Sequence, residues 1–421
     1  MDVTSWWGLL TILFCLLTGL ATTSGLINAG LWVSEPLACA LVGFAIGPMG
    51  AGLVHYTSGP AVLTPAFLHE AARFTLALAV AGAAVRLPTN WIRDNWRGLL
   101  IVLGPGMLLM AVMSTAIAMG TLALPLGVAA LIGCALTPTD PVLSAPLVTG
   151  RLAERTVPKA LRDGISAESG ANDGLAFPLV LLPLVFIGGK GSMSLLTWLL
   201  QVVLLDVCGA IAVGAVAGWV ACRTLRWAAS RPDAAHASLL TTAIALSLAT
   251  LTGVHWFGGD GILAAFAAGA VLGNGIQGEV EQRQERFNEA LTRFFDLPVM
   301  LLFGVMLPWH DWFHLSGRGV AFAMVLLALR RVPGWLLLHR WMPWTRDRRD
   351  ALFAGWFGPT GAGAVFYALE LQERTGRSDV WPIVSLAVAA SVVAHGVSGT
   401  PLTRLFGGLG FRQSLAIEEE L

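Results

Sequence analysis

Long apolar runs dominate this sequence, and they decide what it can fold into. Thirteen stretches stand out, at roughly 6–26, 32–48, 64–85, 98–119, 122–148, 164–188, 194–222, 238–255, 260–277, 294–308, 319–339, 350–371 and 380–406, against the ~20 apolar residues a helix needs to cross a bilayer. Hydrocarbon offers the backbone no hydrogen-bond partner, so only helices and closed barrels can span it. The alternation that barrel strands need is absent. The expectation is an all-α membrane protein of thirteen transmembrane helices. Composition agrees, because only 12% of the 421 residues are charged and mean hydropathy is +0.71, whereas soluble chains carry about 25% charge. Nuclear proteins, secreted disulfide scaffolds and disordered chains are excluded, and no nucleic-acid partner is expected.

The loop charges orient the chain. With the N-terminus outside, nineteen of the 26 basic residues fall in cytoplasmic loops and four (Lys190, Arg318, Arg374, Arg377) in outer ones, while Arg73, Arg330 and Arg331 lie inside segments. That asymmetry is the positive-inside signal, and it fits an odd number of spans with a cytoplasmic C-terminus. The first apolar run has no basic stretch before it, so a cleaved signal peptide is not expected. The last residues, with Glu418, Glu419 and Glu420, read as a short solvated tail. Five scattered cysteines make neither a metal cluster nor a disulfide framework. Tryptophans at segment ends (Trp6, Trp7, Trp309, Trp312, Trp341, Trp344) read as interfacial anchors. Glycine-rich stretches at 209–218 and 261–275 permit close helix contact.

Two segments are interrupted. The fifth contains Thr137-Pro138-Thr139-Asp140-Pro141 and the twelfth Gly358-Pro359-Thr360-Gly361. Proline has no N–H and clashes with the preceding turn, so a regular helix cannot run through either. The breaks lie seven segments apart. An odd offset reverses direction, which suggests inverted repeats, segments 1–6 and 8–13, joined by the seventh. Matching interruptions in two halves point to a transport site near the membrane midplane.

Charges inside such segments need explaining, since a carboxylate at the bilayer centre costs roughly 2.5–3.5 kcal/mol. Asp140 lies in the first break. The sixth segment carries Glu168-Ser169-Gly170-Ala171-Asn172-Asp173, and at helical spacing Glu168, Ser169, Asn172 and Asp173 share one side. Carboxylates, hydroxyls and freed carbonyls, without Cys or His, suit a hard monovalent cation. One of Arg330 and Arg331 is expected to pair with an acid, Glu168 being the natural partner, while Arg330 is free to snorkel to an interface. Asp206 and Asp260 read as helix-end or packing residues, and His395 as a hydrogen-bonded packing histidine.

These residues resemble the cation:proton antiporters of the NhaP/NHE type. The likeness rests on Thr139-Asp140-Pro141, Glu168-Ser169-x-x-Asn172-Asp173 and the eleventh-segment arginine. It runs on through the 259–266 stretch, Gly355-Trp356-Phe357-Gly358-Pro359 and His395-Gly396. The resemblance implies an inverted-repeat fold with crossing broken helices, and a homodimer. Its dimerisation part would be 1–93 and 191–316 (with the seventh helix as linker), its core 94–190 and 317–406, and its cytoplasmic tail 407–421. It further implies Asp173 as the carboxylate taking Na+ or K+ and the proton, Thr139 and Ser169 as further metal ligands, Asp140 and Asn172 as supports, a Glu168–Arg331 bridge, and a second break at Pro359 and Thr360. No cofactor is implied; the partners are the cation, protons and lipid, in the plasma membrane. The Asn-Asp pair resembles the electroneutral branch. Many relatives carry arginine where this chain has Thr360, which removes a charge near the second break.

Two other classes, an enzyme and a channel, compete with antiport. An intramembrane aspartyl hydrolase needs Gly-x-Gly-Asp and Tyr-Asp, but Phe257 occupies the first glycine position before Gly258-Gly259-Asp260 and neither tyrosine precedes an aspartate. A phosphate-binding loop fails at Leu184 and Gly191. An uncoupled cation channel would conduct without exchanging protons.

Overall fold

The computed structural model describes residues 11–20, 33–54, 63–85, 87–88, 90–144, 148, 150–230, 239–259, 261–275 and 295–419. Among them there is no strand. The helices are α1 Thr11–Leu20, α2 Glu35–Ile46, α3 Pro65–Val85, α4 Trp91–Leu122, α5 Leu126–Ala135, α6 Gly150–Thr156, α7 Lys159–Leu181 and α8 Leu195–Ala228. They continue as α9 Leu239–Trp256, α10 Ile262–Gly275, α11 Phe295–Val305, α12 Trp309–Leu329, α13 Val332–Leu338, α14 Arg348–Trp356, α15 Ala362–Thr375 and α16 Val380–Glu419. Five continuous stretches among the described residues are long and apolar enough to span a bilayer. The protein is an α-helical membrane protein.

Each of the thirteen apolar segments overlaps a helix, but three of them divide. The chain leaves helical geometry after α5 and again between α14 and α15, at the two proline-containing motifs. A third division separates α12 from α13 at Arg330 and Arg331. Its cause is Pro333, which supplies no N–H to continue the ladder from α12 and disfavours helical geometry just before it. Elsewhere proline is accommodated: around Pro105 the turns of α4 widen to i→i+5 bonding over Val102–Gly106. The thirteenth segment runs on as helix to Glu419.

Small residues bring the helices together. A Cβ at Gly218 would come 2.5 Å from the Ala268 carbonyl, and one at Gly269 would come 2.7 Å from that of Ala81, so α10 lies in direct backbone contact with both α8 and α3. A Cβ at Gly304 of α11 would come 2.9 Å from the Phe44 nitrogen of α2. α3 also packs against α7 and α15, which places it beside the polar centre.

One expected anchor is not at an interface. Trp344 is 2% exposed. It stacks near Trp91 at 5.4 Å, in a slot left by the missing side chains of Gly98 and Gly164. Trp341 is exposed, and Trp312 donates to the Pro382 carbonyl at 2.8 Å, tying α12 to α16.

Candidate ion-binding site

The breaks in α5 and between α14 and α15 lie against each other. The Asp140 N–H donates to the Pro359 carbonyl at 2.8 Å. One Asp140 carboxylate oxygen accepts the N–H groups of Val142 (2.7 Å) and Leu143 (3.1 Å). The other accepts that of Ala362 (2.8 Å) at the start of α15. Helix starts leave N–H groups unsatisfied and carry partial positive charge, so a carboxylate there is held by geometry and by field.

Helix ends present the opposite need, because their last carbonyls are orphaned and partly negative. Arg330 meets it. Its guanidinium donates to the carbonyls of Leu136 and Gly358, and to that of Pro138 at 3.5 Å, so it covers the ends of α5 and α14 together. The residue is 6% exposed. The snorkelling expected of Arg330 does not occur, because the two breaks offer carbonyls deep in the protein.

Arg331 donates to both oxygens of Glu168, at 3.1 and 2.9 Å, and lies over the Trp335 ring at 4.9 Å. Glu168 also accepts from the Asn172 amide at 3.0 Å. That amide donates to the Thr139 hydroxyl at 2.6 Å, and its oxygen accepts the Thr139 N–H at 3.2 Å. The Thr139 hydroxyl in turn donates to that of Ser169 at 3.2 Å. A continuous network thus runs from α13 through α7 to the first break, all of it buried.

Asp173 stands apart from this network. It is 0% exposed, and neither carboxylate oxygen has a hydrogen-bond partner. A Cβ at Gly363 would fall 2.6 Å from its Oδ1 and 3.2 Å from Pro138, so the carboxylate faces the space between the two breaks that glycine keeps open. The Tyr367 hydroxyl donates to the Asp173 backbone carbonyl, fixing this turn of α7 against α15. At the second break the Thr360 N–H donates to the Ser391 hydroxyl at 2.9 Å.

The remaining sequence candidates lie elsewhere or play packing parts. His395 is buried, with one ring nitrogen 2.8 Å from the Ser391 carbonyl and the other 2.9 Å from that of Trp356. Asp206 is half-buried on α8. Asp260 lies outside the described residues. One acid escaped the sequence reading. Asp296, in the first turn of α11, is 0% exposed with both oxygens unpartnered. Its signal was present, a carboxylate inside the tenth apolar segment, but next to a basic loop it looks like a helix end.

The sequence model of the transmembrane part of sodium/hydrogen exchangers matches residues 9–405. The chain belongs to the sodium/hydrogen exchanger family. A relative described as Na(+)/H(+) antiporter 2, from Zygosaccharomyces rouxii, is 27% identical over 402 residues, covering 87% of this exchanger-family chain and 49% of the relative. A Schizosaccharomyces pombe Na(+)/H(+) antiporter is 29% identical over 413 residues, covering 87% of this chain and 84% of its own. The chain spans about half the length of the first curated relatives it matches. Among solved structures, the sodium proton antiporter MjNhaP1 from Methanocaldococcus jannaschii at pH 8 superimposes with a TM-score of 0.72 at 17% identity, over 97% of this chain and 100% of that one. The exchanger-family chain therefore shares that fold.

Proposed function

We propose that this chain is a secondary-active antiporter that exchanges a monovalent cation, Na+ or K+, for protons, with the two competing for Asp173. The observation that carries the reading is the state of Asp173, fully buried with both oxygens unbonded beside two helix breaks. Burying an ionised carboxylate without a partner costs several kcal/mol. The group is therefore stable only when it holds a proton or a cation. Thr139 and Ser169 offer hydroxyl oxygens nearby, which suit a hard cation. The names of the fungal relatives support sodium as one substrate.

Exchange follows from this competition. The core, 94–190 and 317–406, moves against a dimerisation part formed by 1–93 and 191–316, and the two breaks belong to inverted repeats. Loaded with a proton or a cation, the site is compensated and the core can move. Empty and charged, it cannot cross the apolar barrier, so a leak is prevented. Asn172 beside Asp173 is an amide occupied with Glu168 and Thr139. That pair adds one ionisable group rather than two, which favours one cation for one proton. A homodimer in the plasma membrane, with the N-terminus outside and the C-terminus in the cytoplasm, completes the proposal.

The test is transport in proteoliposomes under an imposed pH gradient, read with a pH-sensitive dye on addition of Na+, K+ or Li+. The parent should dissipate the gradient with at least one ion, with the half-saturating cation concentration falling up to tenfold per pH unit as protons compete less. Asp173→Ala should be inactive while eluting at the parent's size in detergent. Normal exchange by Asp173→Ala would sink the proposal, and cation flux with no proton movement would indicate a channel.

A further inference from the structure

A second polar cluster lies away from the ion site, where the start of α3 meets the end of α15. Glu370 is its centre. Its carboxylate lies 3.1 Å from His69 Nε2 and accepts from Arg73 at 3.3 Å, both on α3, and it also accepts from Arg374, one turn further along α15. Arg73 pairs with Glu70 at 3.2 Å as well, and lies 3.1 Å from a ring nitrogen of His255 at the end of α9. His69 reaches Glu373 at 3.5 Å. His69, Arg73 and Glu370 are all buried.

The cluster stands between open space and Asp173. On one side of it is a cavity of about 400 Å³, with His69, Lys190, Gln372 and Glu373 in its wall. On the other, the Phe366 ring stacks on His69 at 4.9 Å and lies 5.3 Å from the Arg73 guanidinium. Phe366 meets Tyr367 at 4.9 Å, and the Tyr367 hydroxyl bonds the Asp173 carbonyl. Outward along α15 from Gly363, which faces Asp173, come the two buried rings, then Glu370, then the cavity. The cluster also differs from the Glu168–Arg331 pair in having spare partners. If α15 drew away from α3, Glu370 would keep Arg374 of its own helix, and Arg73 would keep Glu70 of its own. The heavy cost of breaking a buried pair is the charge left unpaired, and here neither charge would be. The adjoining cavity gives water access to both. Such a contact can part and re-form.

We propose that His69, Arg73 and Glu370 form a latch that closes the outer entrance to the ion site, with Phe366 and Tyr367 as the seal beneath it. The inference rests on the antiport reading above and deepens it, since that reading puts α3 in the dimerisation part and α15 in the moving core. Lys190 and Arg374 belong to the sparsely basic side of the chain, which the loop charges make the outer one. When the core moves to open that face, the ion pairs between α3 and α15 give way to pairs within each helix, and the rings leave the path to Asp173. The latch residues bind no transported ion. They set how often the outer face is open.

Sidedness tests the latch. A site that is open to one face in only a fraction of molecules shows an affinity there reduced by that fraction, so weakening the latch tightens apparent binding from outside. The half-saturating concentration of Na+, or of K+ if that is the ion the parent exchanges, is measured from each face in right-side-out and inside-out membrane vesicles. In Glu370→Gln the outer value should fall by about tenfold, the scale of one lost charged hydrogen bond, while the inner value holds or rises. Two bland effects do not imitate this. Loss of an outer negative charge would by itself raise the outer value, and general destabilisation would lower the maximal rate from both faces without separating the two values. His69→Leu keeps the Glu370 charge and should shift the values in the same direction, and it decides alone if Glu370→Gln fails to fold. An outer value that is unchanged, raised, or moved together with the inner one would overturn the inference. Asp173→Ala separates the two claims. If it is active, the antiport reading itself is lost; if it is inactive while the latch variants keep the parent's values on both faces, only the latch is lost.

Discussion

Removing Arg331 alone should cost far more than removing it together with its partner. Glu168 is 0% exposed and Arg331 2%, with two parallel bonds of 3.1 and 2.9 Å between them. In Arg331→Met the carboxylate keeps only the Asn172 amide at 3.0 Å, and a stranded buried charge of this kind destabilises by about 3–5 kcal/mol. In Glu168→Met/Arg331→Met neither charge of the pair is left. Replacing a buried pair by apolar residues of similar volume is often close to neutral, so the double variant should lie within about 2 kcal/mol of the parent, allowing for the lost Asn172 bond. The coupling between the sites would then reach about 3 kcal/mol. The assay is thermal unfolding in one detergent, followed by size-exclusion recovery after heating. The ranking expected is parent, double variant, then Arg331→Met, with Glu168→Met also below the double. A double variant as unstable as the two single losses added together would refute the argument, since it would mean that the two side chains do not compensate one another.

Two other outcomes follow from the same geometry. Gly363→Ala places a methyl 2.6 Å from Asp173 Oδ1 and 3.2 Å from Pro138, so it should raise the half-saturating cation concentration by about tenfold or more, on the scale of overpacking at ~1–3 kcal/mol; unchanged saturation would show that this space is not the cation's. Asn172→Asp replaces an amide donor 3.0 Å from Glu168 with a like charge, and should lower thermal stability by about 1–3 kcal/mol at neutral pH with recovery on acidification, which melting curves at two pH values would check.

Sequence reached the polar centre because its markers are local. Two prolines around Asp140, and Gly-Pro before Thr360, interrupt apolar runs that otherwise read as continuous helix. Helical spacing alone placed Glu168, Ser169, Asn172 and Asp173 on one side of α7. The choice of Arg331 over Arg330 as partner of Glu168 came from resemblance, since adjacent arginines look alike in hydropathy. What stayed hidden is long-range. The carbonyl that Arg330 bonds in Leu136 lies 194 residues away in the chain, and nothing in either neighbourhood announces the other. Pro333 was visible, but the apolar window around it concealed the third break. Trp344 was misplaced because its slot is made by two glycines of other segments. Asp296 was passed over because a carboxylate beside a basic loop looks like a helix end, and only the fold shows it wholly buried.

The position of Thr360 gains a physical account from Arg330. The resemblance implies an arginine there, and threonine in its place removes a charge near the second break. The carbonyl of Gly358 at that break is nevertheless met by a guanidinium, the one that Arg330 brings from the end of α12. Thr360 itself is buried and bonds the Ser391 hydroxyl through its N–H. Positive charge at the break is thus supplied from a neighbouring helix rather than from the break's own sequence. The orphaned helix ends are met by Arg330 and Asp140 through backbone groups, and Glu168 is met by Arg331. On the proposed reading, the acid left over for whatever enters is Asp173, whose oxygens have no hydrogen-bond partner. The same reading leaves selectivity between proton and metal ion to the oxygens around Asp173, those of Thr139 and Ser169 first, rather than to the charges that hold the broken helices in place.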